Sequence, residues 1–199
     1  MSMKLLIAVP TTDYVHAEFM KCLVNLTMEL SRQKIAYDVE IQAGTLVYIA
    51  RNRLCNKAVN DGYTHILFLD SDMVFKQDLL EDMLFCGKDF VCGAFQSRRP
   101  PYSSCIFLSL RPVERVKHYD LNPFAVEGCG MACTLISTEI IKSVQNKYGA
   151  TFTPTEEFGE DLAFCWRARS LGHEIWCDPS IRIGHIAHVP IYPGEEPAT

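Results

Sequence analysis

The first third of the chain alternates between apolar runs and helical patterns. The apolar run Lys4–Val9 ends at Pro10, and its length and branched residues predict a strand buried on both faces. Apolar positions then recur every three or four residues, which predicts an amphipathic helix; they are Phe19, Cys22, Leu23, Leu26 and Leu30. Alternation over Ala36–Gln42 predicts a second strand.

A second helix and a third strand follow. The helix is predicted over Val47–Val59, because Asn60-Asp61-Gly62 is a strong stop signal. The apolar run His65–Leu69 predicts a strand that leads directly into Asp70. Strand–helix–strand–helix–strand in this order predicts an α/β fold, a Rossmann-like open sheet that is mostly parallel and flanked by helices. Ligands of such sheets bind beyond the carboxyl ends of the strands.

The second half of the chain has a mixed pattern. The predicted helices are Lys76–Phe85, Thr138–Lys147 and Glu160–Leu171, and the predicted strands are Phe90–Phe95, Cys105–Leu110, Met131–Ser137, Glu174–Cys177 and Ile181–Ile183. No repeat or linker divides the chain. We therefore expect one domain over 1–199, with a nucleotide-binding half at about 1–95, an acceptor and catalytic half at about 96–188, and a loose tail at 189–199.

Composition and charge narrow the function. Hydrophobic residues make up 48% and charged residues 22% of the chain, which is typical of a globular protein. The net charge of −5 argues against a nucleic-acid partner, which needs a concentrated basic surface. No apolar run reaches the ~18 residues of a membrane span, and Leu5–Val9 is too short for a signal-peptide core. We expect a soluble cytoplasmic protein.

Nine cysteines are present, an odd number without a CxxC pair. Most lie in apolar segments, which favours buried reduced thiols. A zinc site built from Cys129 and Cys133 is the alternative, but a matching second pair is missing.

Asp70-Ser71-Asp72 follows the predicted strand His65–Leu69 directly. Two carboxylates two residues apart on a turn can reach one divalent cation, which prefers oxygen ligands and shares them with phosphates. A cation also neutralises a departing diphosphate. The alternative is an acidic turn that caps the next helix. The position at a strand end favours the first interpretation.

Glu160-Asp161 begins a predicted helix that Gly172 ends. Acidic residues in a first turn interact favourably with the helix dipole. Alternatively, one of the two carboxylates faces the crevice as a general base. Arg167 lies six residues after Asp161, off its helix face, so an ion pair between them is not the simplest explanation.

Three further segments contain candidate residues. His185 and His188 near the end of the chain are structural, or His185 completes a metal site, since imidazole suits manganese. Arg51 belongs to a solvated basic face, or lies at the mouth of the crevice beside the nucleotide phosphate or base. Gly128 and Gly130 permit close approach to a ligand, or form a strand bulge.

The order of these motifs resembles that of a GT-A-fold glycosyltransferase of the family 2-like kind. The segments that carry the resemblance span about residues 4–188; they are Val9-Pro10-Thr11-Thr12, Ala50-Arg51-Asn52, Leu67–Met73 with its DxD motif, Gly128-x-Gly130, Glu160-Asp161-x5-Arg167 and the late histidine. In its small size the chain also resembles the stand-alone GT-A domains of viral capsid-glycan glycosyltransferases.

The resemblance implies a hexosyltransferase that depends on Mn²⁺ or Mg²⁺ and uses a nucleoside-diphosphate sugar, UDP-sugar above all. Its implied nucleotide-sugar site contains Pro10, Thr11, Thr12, Asp13, Arg51, Asp70, Ser71, Gly128 and Gly130. Asp72 and His185 would bind the metal, with Asp70 on the ribose or the metal. Asp161, or Glu160, would be the base of an inverting enzyme, and the acceptor would be a hydroxyl of a glycan or glycoprotein.

The chain departs from many family 2 enzymes in two ways. The Gln-x-x-Arg-Trp motif of many family 2 enzymes is missing, which argues against processive synthesis, and the chain ends soon after His188. We therefore expect another domain or subunit to supply an acceptor-binding extension.

A sugar nucleotidyltransferase is one alternative function, but it needs a glycine-rich phosphate loop at the position that Pro10–Asp13 occupies. A non-catalytic sugar-nucleotide binding module is the other alternative.

Overall fold

The computed structural model describes residues 3–120 and 122–187. The strands are β1 (Lys4–Pro10), β2 (Ala36–Gln42), β3 (His65–Leu69), β4 (Met73–Val74), β5 (Phe90–Ala94), β6 (Ile106–Leu110), β7 (Val113–Arg115), β8 (Phe124–Val126), β9 (Gly128–Cys129), β10 (Cys133–Ser137), β11 (Ile175–Arg182) and β12 (Gly184–His185). The helices are α1 (Ala17–Arg32), α2 (Val47–Asn60), α3 (Leu79–Phe85), α4 (Thr138–Tyr148) and α5 (Glu160–Ser170).

One large sheet runs through both halves of the chain, in the order β2-β1-β3-β10-β5-β11-β8. The strands β2, β1 and β3 are parallel, and β10 lies antiparallel between β3 and β5. β11 is parallel to β5, and β8 is antiparallel at the far edge. Five of the seven strands therefore point the same way. This confirms the predicted open, mostly parallel sheet with a mixed second half.

Helices cover both faces of this sheet. In β1, Leu6 and Ala8 face the core under α2, α4 and α5, whereas Leu5 and Ile7 face the core under α1 and α3. Each of these four side chains is fully buried. Burial on both faces is what a continuous apolar run predicts, because an alternating strand would leave one face polar.

Two small sheets fold over the carboxyl end of the large one. β4 pairs with β12, which sets His185 opposite Met73. β7, β6 and β9 form a three-stranded sheet. The pairing of β4 with β12 brings a residue near the end of the chain beside the acidic turn that follows β3.

Several predicted boundaries differ from the structure. The helix expected from Lys76 begins at Leu79. Met73–Val74 pairs as strand β4 instead, and a turn at residues 77–78 separates β4 from α3. The two short strands expected near the end are one strand, β11, with a register shift between Asp178 and Arg182. The other predicted helices and strands match to within two residues at each end.

The cysteines and the helices add two findings. All nine cysteines are free thiols, and six of them are buried. None of the helices in residues 3–120 and 122–187 is long and apolar enough to cross a membrane.

Candidate functional site

The carboxyl ends of β1 and β3 meet at one edge of the sheet. The Thr11 hydroxyl lies 3.1 Å from the Ser71 hydroxyl and donates to the carbonyl oxygen of Tyr14 at 2.8 Å. The carbonyl oxygen of Ser71 accepts from the backbone N–H of His16 at 3.1 Å. The predicted strand-end loops thus lie side by side. Thr12 and Asp13 are exposed at the same edge.

Arg51 of α2 lies beneath this edge, with a side chain that is only 2% exposed. Its Nη1 atom lies 3.2 Å from Oδ1 of Asp70, and its Nη2 donates to Oδ2 of the same carboxylate at 3.3 Å. Its Nε atom lies 3.4 Å from Oδ1 of Asp161. One buried guanidinium therefore holds two carboxylates that come from different elements.

The charge of Arg51 is stabilised by these carboxylates. Burial disfavours a charged guanidinium, but Asp70 and Asp161 outweigh it and raise the pKa of Arg51. The sequence predicted Arg51 at the mouth of the crevice, yet the side chain lies deeper. A buried arginine with two carboxylate partners has little freedom to reach a phosphate.

Asp161 lies in the first turn of α5 and faces the crevice. Its Oδ2 accepts from the backbone N–H of Met131 at 3.1 Å, and its side chain is 26% exposed. Desolvation raises the pKa of Asp161 to about 6, with Glu160 and Asp70 adding to the rise and Arg51 opposing it. Asp161 is therefore a carboxylate that is ionised at neutral pH but binds a proton more readily than an exposed aspartate. Arg167 donates instead to the carbonyl oxygen of Thr151 at 2.8 Å, so it forms no ion pair with Asp161.

Asp72 and His185 form a second pair beside the first. Nε2 of His185 lies 3.3 Å from Oδ2 of Asp72. Nδ1 of His185 lies 2.8 Å from the carbonyl oxygen of Gln96. Because a carbonyl oxygen only accepts, Nδ1 carries the proton, and Nε2 is directed at Asp72.

Arg98 also pairs with Asp72, through its Nη1 atom. The pKa of Asp72 is lowered, because the hydrogen bond from His185 and the charges of His185 and Arg98 outweigh burial. Asp72 in turn raises the pKa of His185. Asp72 is thus held as a carboxylate that both His185 and Arg98 contact.

The donor set fits a divalent cation in part. Within residues 3–120 and 122–187, no group of three or more His, Cys, Asp or Glu side chains is arranged to hold a metal ion. The distance of 3.3 Å between Nε2 of His185 and Oδ2 of Asp72 nevertheless suits two neighbouring ligands of an octahedral ion, which lie about 3 Å apart. Asp70 is turned toward Arg51 rather than toward this pair. Two protein ligands leave most of the coordination sphere to phosphate and water.

The two candidate glycines have different surroundings. A Cβ at Gly130 would lie 2.9 Å from Cζ of Phe95, and Gly130 lines the crevice. A Cβ at Gly128 would lie 3.0 Å from Cδ2 of Leu162, so Gly128 allows α5 to pack against β9. We therefore assign Gly128 to packing, which differs from the predicted place beside the donor.

The site also contains residues that the sequence did not single out. The crevice has a volume of about 270 Å³ and is lined by residues that include Asp70, Arg98, Gly130, Asp161 and His185. Arg98 appears in the sequence only as half of a basic pair, and the backbone groups of Met131 and Gln96 have no sequence signature. Glu160 does not line the crevice. His188 lies outside the described residues.

Comparison with known proteins identifies the fold. No protein-family model matches the chain, and no curated protein matches it in sequence. The structure of A197 from STIV matches with a TM-score of 0.64 and 19% identity, over 94% of this chain and 87% of that one.

Two further solved structures match more distantly. GalNAc-T7, solved with UDP, GalNAc and Mn²⁺, matches with a TM-score of 0.57 and 11% identity over 98% of this chain. The Drosophila β1,4-galactosyltransferase 7 mutant, solved with manganese, UDP-Gal and xylobiose, matches with a TM-score of 0.54 and 16% identity over 94% of this chain and 71% of that one. This chain spans 46% of the length of GalNAc-T7. The chain therefore has the GT-A fold of these glycosyltransferases.

Proposed function

We propose that the protein is a metal-dependent glycosyltransferase. It moves a hexose from a nucleoside-diphosphate sugar, most simply a UDP-sugar, to a hydroxyl of a glycan or glycoprotein. The observation that carries the proposal is the crevice that His185 and Asp161 both line, with Asp72 3.3 Å from the His185 ring, at the carboxyl ends of the strands of a GT-A fold. The resemblance to viral capsid-glycan glycosyltransferases stays a prediction.

The nucleotide part of the donor is assigned to the loops after β1 and β3. Thr11, in the loop Pro10–Asp13, lies within hydrogen-bond distance of Ser71 in the acidic turn. In an open α/β sheet, this edge is where nucleotides bind. Arg98 is the cation nearest to the acidic turn, and we assign it to the diphosphate, since a guanidinium fork suits phosphate oxygens.

Asp72 and His185 are assigned to the divalent cation. Oδ2 of Asp72 and Nε2 of His185 would hold it, and diphosphate oxygens and water would fill the remaining positions. When bound, the cation neutralises the charge that develops on the departing diphosphate. The hydrogen bond from Nδ1 of His185 to Gln96 fixes the ring with Nε2 toward Asp72. Nε2 would bind the cation only in the neutral ring, without the proton that it shares with Asp72.

Asp161 is assigned to the catalytic base. It accepts the proton of the acceptor hydroxyl while the oxygen of that hydroxyl bonds to the anomeric carbon. The bond from this carbon to the diphosphate breaks, and its electron pair leaves with the UDP. The raised pKa of about 6 suits a base near neutral pH. Arg51 and the N–H of Met131 hold the carboxylate in place.

UDP release tests the proposal. The protein is incubated with UDP-glucose, UDP-galactose, UDP-N-acetylglucosamine and UDP-N-acetylgalactosamine, with Mn²⁺ or with EDTA. We expect UDP release from at least one donor with Mn²⁺ and none with EDTA, even when water is the acceptor. The absence of metal-dependent release from all four overturns the assignment. Binding of UDP without release from any donor favours the non-catalytic binding module.

A further inference from the structure

A second cavity, the side cavity, joins the crevice at Arg98 and His185. It has a volume of about 550 Å³ and lies at the carboxyl ends of β5 and β11. Its lining residues include Gln96, Tyr102, Tyr119, Asp120, Arg182 and Ala187. Phe95, Ser97, Arg98 and His185 line both cavities. A molecule held in the side cavity therefore has one end next to the assigned metal pair.

Two tyrosines give the side cavity aromatic walls. Tyr102 is 46% exposed. The hydroxyl of Tyr119 lies 2.7 Å from the hydroxyl of Ser104, which fixes the second ring. An aromatic face with a polar rim suits a ligand that has an apolar face and peripheral hydroxyls. A sugar ring has this character.

The backbone of Tyr102 is unusual for a bulky residue. Its φ is 54°, in the left-handed region that large side chains rarely occupy. The conformation is held by a hydrogen bond from the N–H of Tyr102 to Arg99 at 2.9 Å, and by one from the N–H of Ser97 to Ser103 at 2.9 Å. Such strain persists where the surrounding structure over-determines it, often at ligand sites. Here it sets an exposed ring at the wall of a cavity.

Two charged side chains of the cavity have no partner within residues 3–120 and 122–187. The side chains of Asp120 and Arg182 form no hydrogen bond or ion pair there, and both residues are exposed. A carboxylate accepts from sugar hydroxyls and a guanidinium donates to them. The cavity therefore offers a ligand both an acceptor and a donor.

The position of Arg182 depends on the register shift in β11. The shift lies between Asp178 and Arg182, opposite Gly93 and Ala94 of β5. A Cβ at Gly93 would lie 2.8 Å from Ile183 and 3.0 Å from the carbonyl oxygen of Ile181. The glycine thus permits the close approach of the shifted strand. Irregular strands of this kind commonly redirect a side chain beside a functional site.

We propose that the side cavity binds the acceptor as a saccharide, with one sugar ring against Tyr102 and its hydroxyls on Asp120 and Arg182. The inference rests on the proposed function and deepens it. The acceptor hydroxyl reaches the crevice past His185, where Asp161 takes its proton, its oxygen bonds to the anomeric carbon, and UDP leaves with the electron pair of the broken bond. This chain then supplies an acceptor site of its own.

Ligand-observed saturation-transfer NMR tests the proposal. The probes are the methyl glycosides of glucose, galactose, mannose and N-acetylglucosamine, with Mg²⁺ and UDP present. We expect at least one to bind, and Tyr102→Ala and Asp120→Asn each to weaken its binding at least fivefold. Tyr102→Phe keeps the ring and should retain binding. Phe85→Ala, at a phenylalanine that is 93% exposed on α3, is the control and should bind as wild type does.

The outcomes separate this inference from the proposed function. UDP affinity is measured for each variant by calorimetry, and its fold by thermal denaturation. If no glycoside binds the wild type, or if Tyr102→Ala binds as well as Phe85→Ala, the inference is overturned. The inference is also overturned if the variants weaken UDP binding as much as glycoside binding, because the cavity then holds the nucleotide. Absence of metal-dependent UDP binding, by contrast, counts against the proposed function alone.

Discussion

The Nε atom of Arg51 lies 3.4 Å from Oδ1 of Asp161, and the same guanidinium forms an ion pair with Asp70. The carboxylate of Asp161 comes from the start of α5, and that of Asp70 follows the end of β3. A single buried cation therefore fixes the distance between the acidic turn and the assigned base.

Replacing Arg51 should destabilise the fold. Arg51→Met leaves two carboxylates with no counter-charge, and loss of one partner of a buried ion pair costs about 3–5 kcal/mol. The loss should be smaller at pH 4, below the raised pKa of Asp161, where that carboxylate takes up a proton. Urea denaturation measures both values. Arg53→Met is the control, because Arg53 is exposed on the same helix; it should cost less than about 0.5 kcal/mol. Equal losses for the two variants would contradict the buried-ion-pair interpretation.

Replacing Asp161 should lower the catalytic rate and leave nucleotide binding intact. Asp161→Asn is expected to lower kcat by about 10²–10⁴-fold, the usual contribution of a general base. The Kd for UDP should stay within about twofold of the wild-type value, because the carboxylate contacts the acceptor. Glu160→Gln is the control and should keep most of the activity, since Glu160 does not line the crevice. The reverse pattern would make Glu160 the base.

The raised pKa of Asp161 predicts an acid limb in the activity. The base must be ionised, so kcat/KM should fall as the pH drops below about 6. A pH profile of UDP release at saturating Mn²⁺ measures this limb. An acid limb near pH 4 would show that the environment of Asp161 does not raise the pKa of its carboxyl.

The same shift predicts a change in stability. The folded state binds the proton of Asp161 more tightly than the unfolded state, whose pKa is about 3.9. The stability contributed by Asp161 is therefore present below about pH 4 and is lost as the pH rises to about 6. As the pH rises from 4 to 7, the free energy of unfolding of Asp161→Asn should therefore increase by about 2–3 kcal/mol relative to that of wild type. Parallel stability curves for the two proteins would exclude this linkage.

Gly130 should tolerate no side chain. Gly130→Ala places a Cβ 2.9 Å from the ring of Phe95, and such overpacking costs about 1–3 kcal/mol. Gly159→Ala is the control, because no atom lies within 4 Å of a Cβ there; only a modest loss is expected, below about 1 kcal/mol at this helix start. Thermal denaturation of both variants compares them. Equal stability would show that Phe95 moves without cost.

The sequence predicted those parts of the fold that local patterns determine. β2 and β3 have the predicted bounds, because alternation and apolar runs report burial directly. The pairing of β4 with β12 joins two-residue strands that are distant in the chain, and so short a strand has no periodicity to detect. The place of His185 beside Asp72 therefore needed the structure.

The basic segment on α2 shows why the site was only partly predictable. Arg51 and Arg53 read alike in the sequence, yet one is buried and the other exposed. The difference comes from partners elsewhere in the chain, Asp70 and Asp161 for Arg51. Asn52, between the two arginines, accepts from the backbone N–H of Phe152 at 2.8 Å. Such long-range pairs leave no local pattern.

Calorimetric titration of UDP with and without Mn²⁺ tests the metal-dependent donor site most directly. For wild type, we predict that Mn²⁺ tightens the Kd for UDP at least tenfold, and that Asp72→Asn removes this gain. Asp89→Asn, at an exposed carboxylate that precedes β5, should keep it. A wild-type Kd for UDP that is the same with Mn²⁺ and with EDTA would contradict the proposed metal site.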